Sequence, residues 1–209
     1  GITGLMPIHI GQIILNGEDI TKKSIRKRSI AGMSHVPEDR HKHGLILDYN
    51  LQQNAVLQTY FEPRFQNHGF IKFGAVRKYA QKLIGKYDIR SGHGEDSIVR
   101  DMSGGNQQKV IVARELDRNP EIVVAVQPTR GLDVGATEYI HKQLIAQRDA
   151  GKAVLLVSLE LDEVMDVSDR IVVMYEGEIV ADLYNGAGLD EEELGMYMLG
   201  LKKQKGANA

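Results

Sequence analysis

Residues 121–158 read EIVVAVQPTRGLDVGATEYIHKQLIAQRDAGKAVLLVS. Two apolar runs of strand length, Ile122–Val126 and Ala153–Val157, bracket a Gly-containing polar loop and a helical segment over about 136–150. Gly151 suits the close of that helix, since it takes a left-handed backbone without steric cost. Apolar runs this short, with no polar alternation, belong to strands buried on both faces. Strand, helix and strand in succession predict a parallel sheet with helices on its faces, an α/β fold.

Upstream lies Ser103-Gly104-Gly105-Asn106-Gln107-Gln108-Lys109. A helix is expected to open on Ser103, whose hydroxyl suits an N-cap, and to run to about Arg118. Adjacent glycines at a helix start let a ligand approach the backbone. The unpaired N–H groups and the helix dipole there favour an anion such as phosphate. A bare loop-to-helix junction accounts for a short SGG; a seven-residue motif with a second motif downstream asks for more. That second motif, Gln127-Pro128-Thr129-Arg130-Gly131-Leu132-Asp133-Val134-Gly135-Ala136, follows the strand Ile122–Val126. Ligands of open α/β sheets sit at the carboxyl ends of strands.

Further out, residues 50–60 and 74–90 read as helices, the second with Val76, Tyr79, Ala80, Leu83, Ile84 and Tyr87 on one face. Between them, 61–73 is an aromatic, turn-rich connection, and 92–101 is a loop. Residues 50–117 therefore form a helical subdomain inserted in a single domain spanning 1–209. Near the N-terminus, Asn16-Gly17 predicts an antiparallel hairpin over 12–20. A short basic helix over 24–31, a strand Met33–Val36 and a polar loop over 37–50 follow. After residue 158 come a short helix over 160–167, a hairpin across Glu176-Gly177, a helix over 190–199, and a polar tail over 202–209 expected to be disordered.

The 209 residues suit one domain with a small insert, and 42% hydrophobic with 26% charged residues is ordinary globular composition. A net charge of −2 gives no basic face for nucleic acid. With no cysteine there is no disulfide framework or thiolate metal site. No apolar run approaches the ~18 residues of a spanning helix. No signal peptide is expected, and any membrane role comes through a partner.

At this point the chain resembles the nucleotide-binding domain of an ATP-binding-cassette transporter. SGGNQQK followed by PTRGLDVGA is similar to ribose-type importers, whose ATPase fuses two cassettes, and AVQPTRGLDVGATEYIH looks like the second cassette of purine-nucleoside importers. The resemblance implies a P-loop NTPase-like sheet and ATP with Mg²⁺ as cofactors in a site shared with a partner cassette. It implies transmembrane permease subunits, an indirect solute-binding protein, and a peripheral place on the cytoplasmic face of the membrane. Ser103, Gly104, Gly105, Asn106 and Gln107 match the signature that touches the γ-phosphate held by the opposing cassette. Asp133 matches the aspartate at the cassette interface. Glu38, in Val36-Pro37-Glu38-Asp39-Arg40, stands near the glutamine of the loop that senses the permease.

The departures from that family are equally specific. Phosphoryl transfer needs a phosphate cradle, a Mg²⁺ ligand and a group that orients water. No G-x-x-x-x-G-K-[S/T] run occurs. The family places it before a segment like Thr3-Gly4-Leu5, and the chain opens on Gly1 rather than Met, so it is read as a fragment lacking that cradle; truncation and evolutionary loss both account for this. The Mg²⁺-supporting aspartate corresponds to Val126, the water-polarising glutamate to Gln127, and the switch histidine to Leu159. The expectation is a degenerate site of the chain's own, with the signature donated to a live site on another cassette. A regulatory cassette without turnover is one rival; a non-transport cassette ATPase is another, though it would call for a coiled-coil insert or a basic surface.

Four features receive weaker readings. His41 and His43 lack a third metal ligand, and no metal site is assigned. The basic run Lys22, Lys23, Arg26, Lys27, Arg28 reads as a solvated face. The acidic start Asp190-Glu191-Glu192-Glu193 suits a helix dipole. Tyr60, Phe61, Phe65, Phe70 and Phe73 divide evenly between core and a groove for a permease helix.

Overall fold

The computed structural model describes residues 1–186 and 188–204. They fall into two compact units, Gly1–Val157 and Ser158–Ala209.

The first unit opens with strands β1 (Ile14–Leu15) and β2 (Glu18–Asp19), antiparallel across the expected turn. Asn16 and Gly17 both take positive φ, 50° and 79°, the paired left-handed geometry whose twist matches a tight hairpin. Helix α1 (Ile25–Ile30) follows, capped by Ser24, and then strand β3 (Met33–Val36). The basic run around α1 is not uniformly solvated. Arg28 is buried and donates to the carbonyls of Lys23, Gly1 and Thr21, so it pins the N-terminal segment.

The polar loop over 37–50 contains a π-helical turn, Arg40–Gly44. The Asp39 carboxylate caps it, accepting from the His41 and Lys42 N–H groups at 2.9 Å each, and these bonds hold the carboxyl below its usual range. Helix α2 (Leu51–Ala55) starts on Asn50 with a full capping box to Gln53. It stops well short of the expected residue 60, because Val56 leaves helical geometry at φ −109° and the chain continues in turns. The aromatic connection holds a small hairpin, β4 (Gln66–Asn67) and β5 (Phe70–Ile71), turned by His68 and Gly69 at φ 47° and 86°. Helix α3 (Phe73–Lys86) buries Val76, Tyr79, Ala80 and Leu83 and ends before Asp88, whose φ of 47° breaks the helix. Two 3-10 turns, Gly94–Asp96 and Val99–Asp101, lead to helix α4 (Gly104–Leu116).

Strand β6 (Ile122–Val126), helix α5 (Val134–Asp149) and strand β7 (Ala153–Val157) complete the unit. The sheet is parallel, in the order β3-β6-β7, with Val124 opposite His35 and Leu155. Central β6 buries Val123, Val124 and Ala125, as its uninterrupted apolar run demands. Leu51, Ala55, Phe65, Val76, Tyr79 and Leu83 join Val110, Ile111 and Ala113 of α4 in one core. The aromatic cluster splits: Phe65 packs on Tyr79 with ring centroids 5.1 Å apart, whereas Phe70 and Phe73 are exposed.

The second unit holds helix α6 (Leu161–Val167), the antiparallel pair β8 (Arg170–Tyr175) and β9 (Glu178–Tyr184), and helix α7 (Glu191–Met198). The hairpin turns on Glu176 and Gly177, again both at positive φ. Leu194 and Tyr197 of α7 cover Ile171, Val173, Val180 and Ala181. The tail is bonded at its start, where Gln204 donates from its N–H to Val180 O and accepts from the Asp182 N–H, both at 2.8 Å. The rest of the expected tail, 205–209, lies outside the described residues.

Candidate functional site

The site begins where α4 begins. Ser103 is exposed, and its Oγ accepts from Asn106 Nδ2 at 2.9 Å and, more loosely, from the Asn106 N–H at 3.4 Å. Asn106 Oδ1 in turn accepts from the Arg90 N–H at 2.8 Å, which fixes the loop before the helix. Gly104 and Gly105 stand in the first turn, whose N–H groups have no carbonyl four residues earlier in the helix. Gln107 faces the other way. It is buried; its Nε2 donates to Val99 O and its Oε1 meets His41 Nε2, both at 2.9 Å. Gln108 is buried as well and donates to Pro128 O at 2.7 Å. The motif thus divides: its first four residues bound the surface, and its glutamines fasten the helix to neighbouring loops.

Asp133 lies beside this helix start. It caps α5, its Oδ1 accepting from the Ala136 N–H at 2.9 Å. A Cβ added to Gly105 would fall 3.0 Å from the Ala136 methyl carbon, so any side chain there would push the two helices apart. Two helix N-termini therefore meet at one place, and each contributes positive partial charge. Between them opens a shallow depression of roughly 450 Å³, lined by Ser103, Gly105, Asn106 and Asp133 with the cations Arg90, Lys109 and Lys142 and the carboxylates Asp88 and Glu138.

Lys109 holds one wall. Its Nζ bonds Asp88 Oδ2 at 2.9 Å and lies 4.4 Å from the Tyr139 ring centroid. That bond keeps the Asp88 carboxyl below the usual carboxylate range. Burial pushes the Tyr139 phenol up to about 12, and its hydroxyl is buried with no hydrogen-bond partner among the described residues.

The carboxyl end of β6 is built differently. Val126 ends the strand opposite Val157 and offers only an apolar side chain. Gln127 is buried at φ 48°, a left-handed conformation uncommon outside glycine, and its N–H donates to Val157 O at 2.8 Å. Its carbonyl accepts from the Arg130 N–H at 3.2 Å and folds the loop back. Glu38 is exposed and accepts from Arg130 Nη1 at 2.7 Å. Leu159 is an exposed residue of the second unit. No group of three or more His, Cys, Asp or Glu side chains suited to a metal ion occurs among the described residues.

Of the residues expected from sequence, Ser103, Gly104, Gly105, Asn106 and Asp133 converge, while Gln107 anchors the helix from below and Glu38 joins through Arg130. Sequence reading gave no role to Arg90 and Tyr139, and quoted Lys109 in its motif without assigning it one. Lys109 left a signal as the last residue of that motif; Arg90 and Tyr139 are brought in by packing.

The ABC transporter family profile matches residues 1–130. The chain is 48% identical over 208 residues to the guanosine import ATP-binding protein NupO of Bacillus subtilis, an alignment covering 100% of this chain and 40% of that protein. It is 47% identical over 199 residues to the nucleoside import ATP-binding protein NupA of Lactococcus lactis, covering 95% of this chain and 39% of that protein. The chain thus spans about two fifths of the length of these relatives. Among solved structures, a post-hydrolysis dimer of an ATP-binding cassette bound to ADP and Pi shares the fold, with TM-score 0.71 and 21% identity over 88% of this chain and 78% of that one.

Proposed function

The chain belongs to the ABC transporter family, and from that membership we propose that it is the energy-coupling cassette of an importer for purine nucleosides or simple sugars. In this reading it donates its signature to an ATP site completed by a partner cassette. The observation that carries it is the meeting of the α4 and α5 N-termini, with Gly105 against Ala136 and Ser103 at the surface. Half-buried glycines in the first turn, an exposed serine and two helix dipoles suit the phosphate end of a nucleotide.

Mg²⁺ fits the chain's own strand end poorly. Val126 cannot ligate a cation, and Gln127 can hold a water but has no carboxylate to take its proton. The ion, with the phosphate cradle, is supplied by the partner cassette. Among the described residues no helix is long and apolar enough to cross a membrane. In this reading attachment runs through permease subunits at the cytoplasmic face, and any solute-binding protein acts through them. The higher identity to the guanosine and nucleoside import proteins than to a glucose import protein, 48% and 47% against 41%, favours a nucleoside over a sugar.

ATP turnover by the assembled transporter tests the reading. Ser103→Arg places a bulky cation at the signature and should lower turnover by roughly 10²-fold, the scale of losing one preorganised electrostatic contact in a transition state. Gln127→Glu should change turnover by less than about threefold, because a restored base without a metal ligand completes nothing. Turnover that survives Ser103→Arg refutes signature donation. An assembly that binds nucleotide without hydrolysing it is a regulatory cassette instead.

A further inference from the structure

We infer that Arg40 and His41 are positioning residues that tie the Glu38 loop to the signature motif within one cassette, so that movement of the loop moves the start of α4. The inference rests on the proposed function above and extends it to residues outside the phosphate-facing surface.

Four contacts leave one short segment. Arg40 Nη1 donates to Arg130 O at 3.0 Å, in the loop that leads to Asp133. Arg40 Nη2 lies against Gly104, only 3.1 Å from where a Cβ would stand. His41 Nε2 meets Gln107 Oε1 at 2.9 Å. Glu38 closes the set on Arg130 Nη1 at 2.7 Å. The chemistry fixes the sense of the histidine bond. Gln107 Nε2 already donates to Val99 O, so its Oε1 must accept and His41 Nε2 must carry a proton.

The segment is held from behind by the Asp39 cap on the π-helical turn, so Arg40 and His41 move together. A cation held between two loops and a helix start couples them, provided the arrangement has an alternative. Arg40 Nε supplies a reason for one. It is buried with no hydrogen-bond partner among the described residues, a cost that an arrangement giving this donor a partner would relieve.

The test uses the reconstituted transporter with its permease, reading basal turnover, its stimulation by transported solute, and the unfolding temperature. Arg40→Gln should reduce solute stimulation by roughly tenfold, the scale of losing a hydrogen bond to a charged group. Basal turnover and unfolding temperature should hold, and Arg40→Lys should restore part of the stimulation through its remaining donor. His41→Phe should act in the same direction, more weakly. Stimulation unchanged in Arg40→Gln overturns the inference. Stimulation, basal rate and unfolding temperature falling together also overturn it, since the role is then structural. Ser103→Arg in the same membranes separates the two readings: if it leaves turnover intact, the functional reading itself has failed.

Discussion

The two ends of α4 are built to opposite rules. At its N-terminus, the Gly104-Gly105 turn faces a shallow depression beside Asp133. At its C-terminus, Arg114 and Glu115 are fully buried, paired at 2.9 Å, and satisfied by the backbone around them. Arg114 Nη1 donates to Gly44 O, the Ser34 hydroxyl donates to Glu115 O, and Arg118 reaches Glu115 and the Ser29 carbonyl. One end leaves first-turn backbone donors without helical partners; the other directs its polar groups to β3, α1 and the π-helical turn. The buried charges fasten the C-terminal end of the helix to three neighbouring elements, while its N-terminal end stays at the surface.

The sharpest way to break this comparison is at the closed end. Arg114→Ala leaves Glu115 buried without its nearest partner and strips a donor from Gly44 O. A loss of about 3–5 kcal/mol is expected, the usual cost of breaking a buried pair from one side. Urea denaturation measures it, and a loss under about 1 kcal/mol would mean that water reaches the pair. Replacing both residues together, Arg114→Met with Glu115→Leu, should cost less than Arg114→Ala, because no buried charge is then left alone.

The open end answers more gently. Asp133→Ala removes the cap of α5 and should cost about 1 kcal/mol in the same measurement, whereas Asp133→Gly should cost only a few tenths, since glycine suits the cap backbone. A loss as large as that of Arg114→Ala would make the open end as structural as the closed one.

This contrast was half legible in the sequence. SGGNQQK announces its glycines and its capping serine, and the apolar runs at 122–126 and 153–157 announce β6 and β7, because local pattern alone dictates them. That Gln107 and Gln108 turn inward was hidden: their partners, His41, Val99 and Pro128, stand 8 to 66 residues away. Arg114, Glu115 and Arg118 stand in a stretch of four charges in five residues, a composition that usually faces solvent, so nothing local marks the first two as buried. Arg28 was misread for the same reason. The connection over 61–73 was visible as turn-rich, yet the strands within it, of 2 residues each, are too short to show a period.

The smallest expected effect lies at the edge of the closed end. His35 sits on β3 beside Glu115, whose Oε2 is 3.5 Å from the His35 N–H. Burial holds the imidazole below its ordinary value; Glu115 pulls it up, and His43 and Arg114 push it down further. The unfolded chain, with an imidazole near 6.5, then binds a proton more readily than the folded one. Stability rises with pH wherever the unfolded state holds more protons. The contribution is therefore complete above about pH 6.5 and is lost progressively as pH falls from there through the lower folded value. Urea midpoints at pH 7.5 and 5.5 should differ more in the natural chain than in His35→Gln, and by less than Asp133→Ala costs. An equal pH dependence in both would mean that the imidazole is solvated, and that the closed end of α4 stops short of β3.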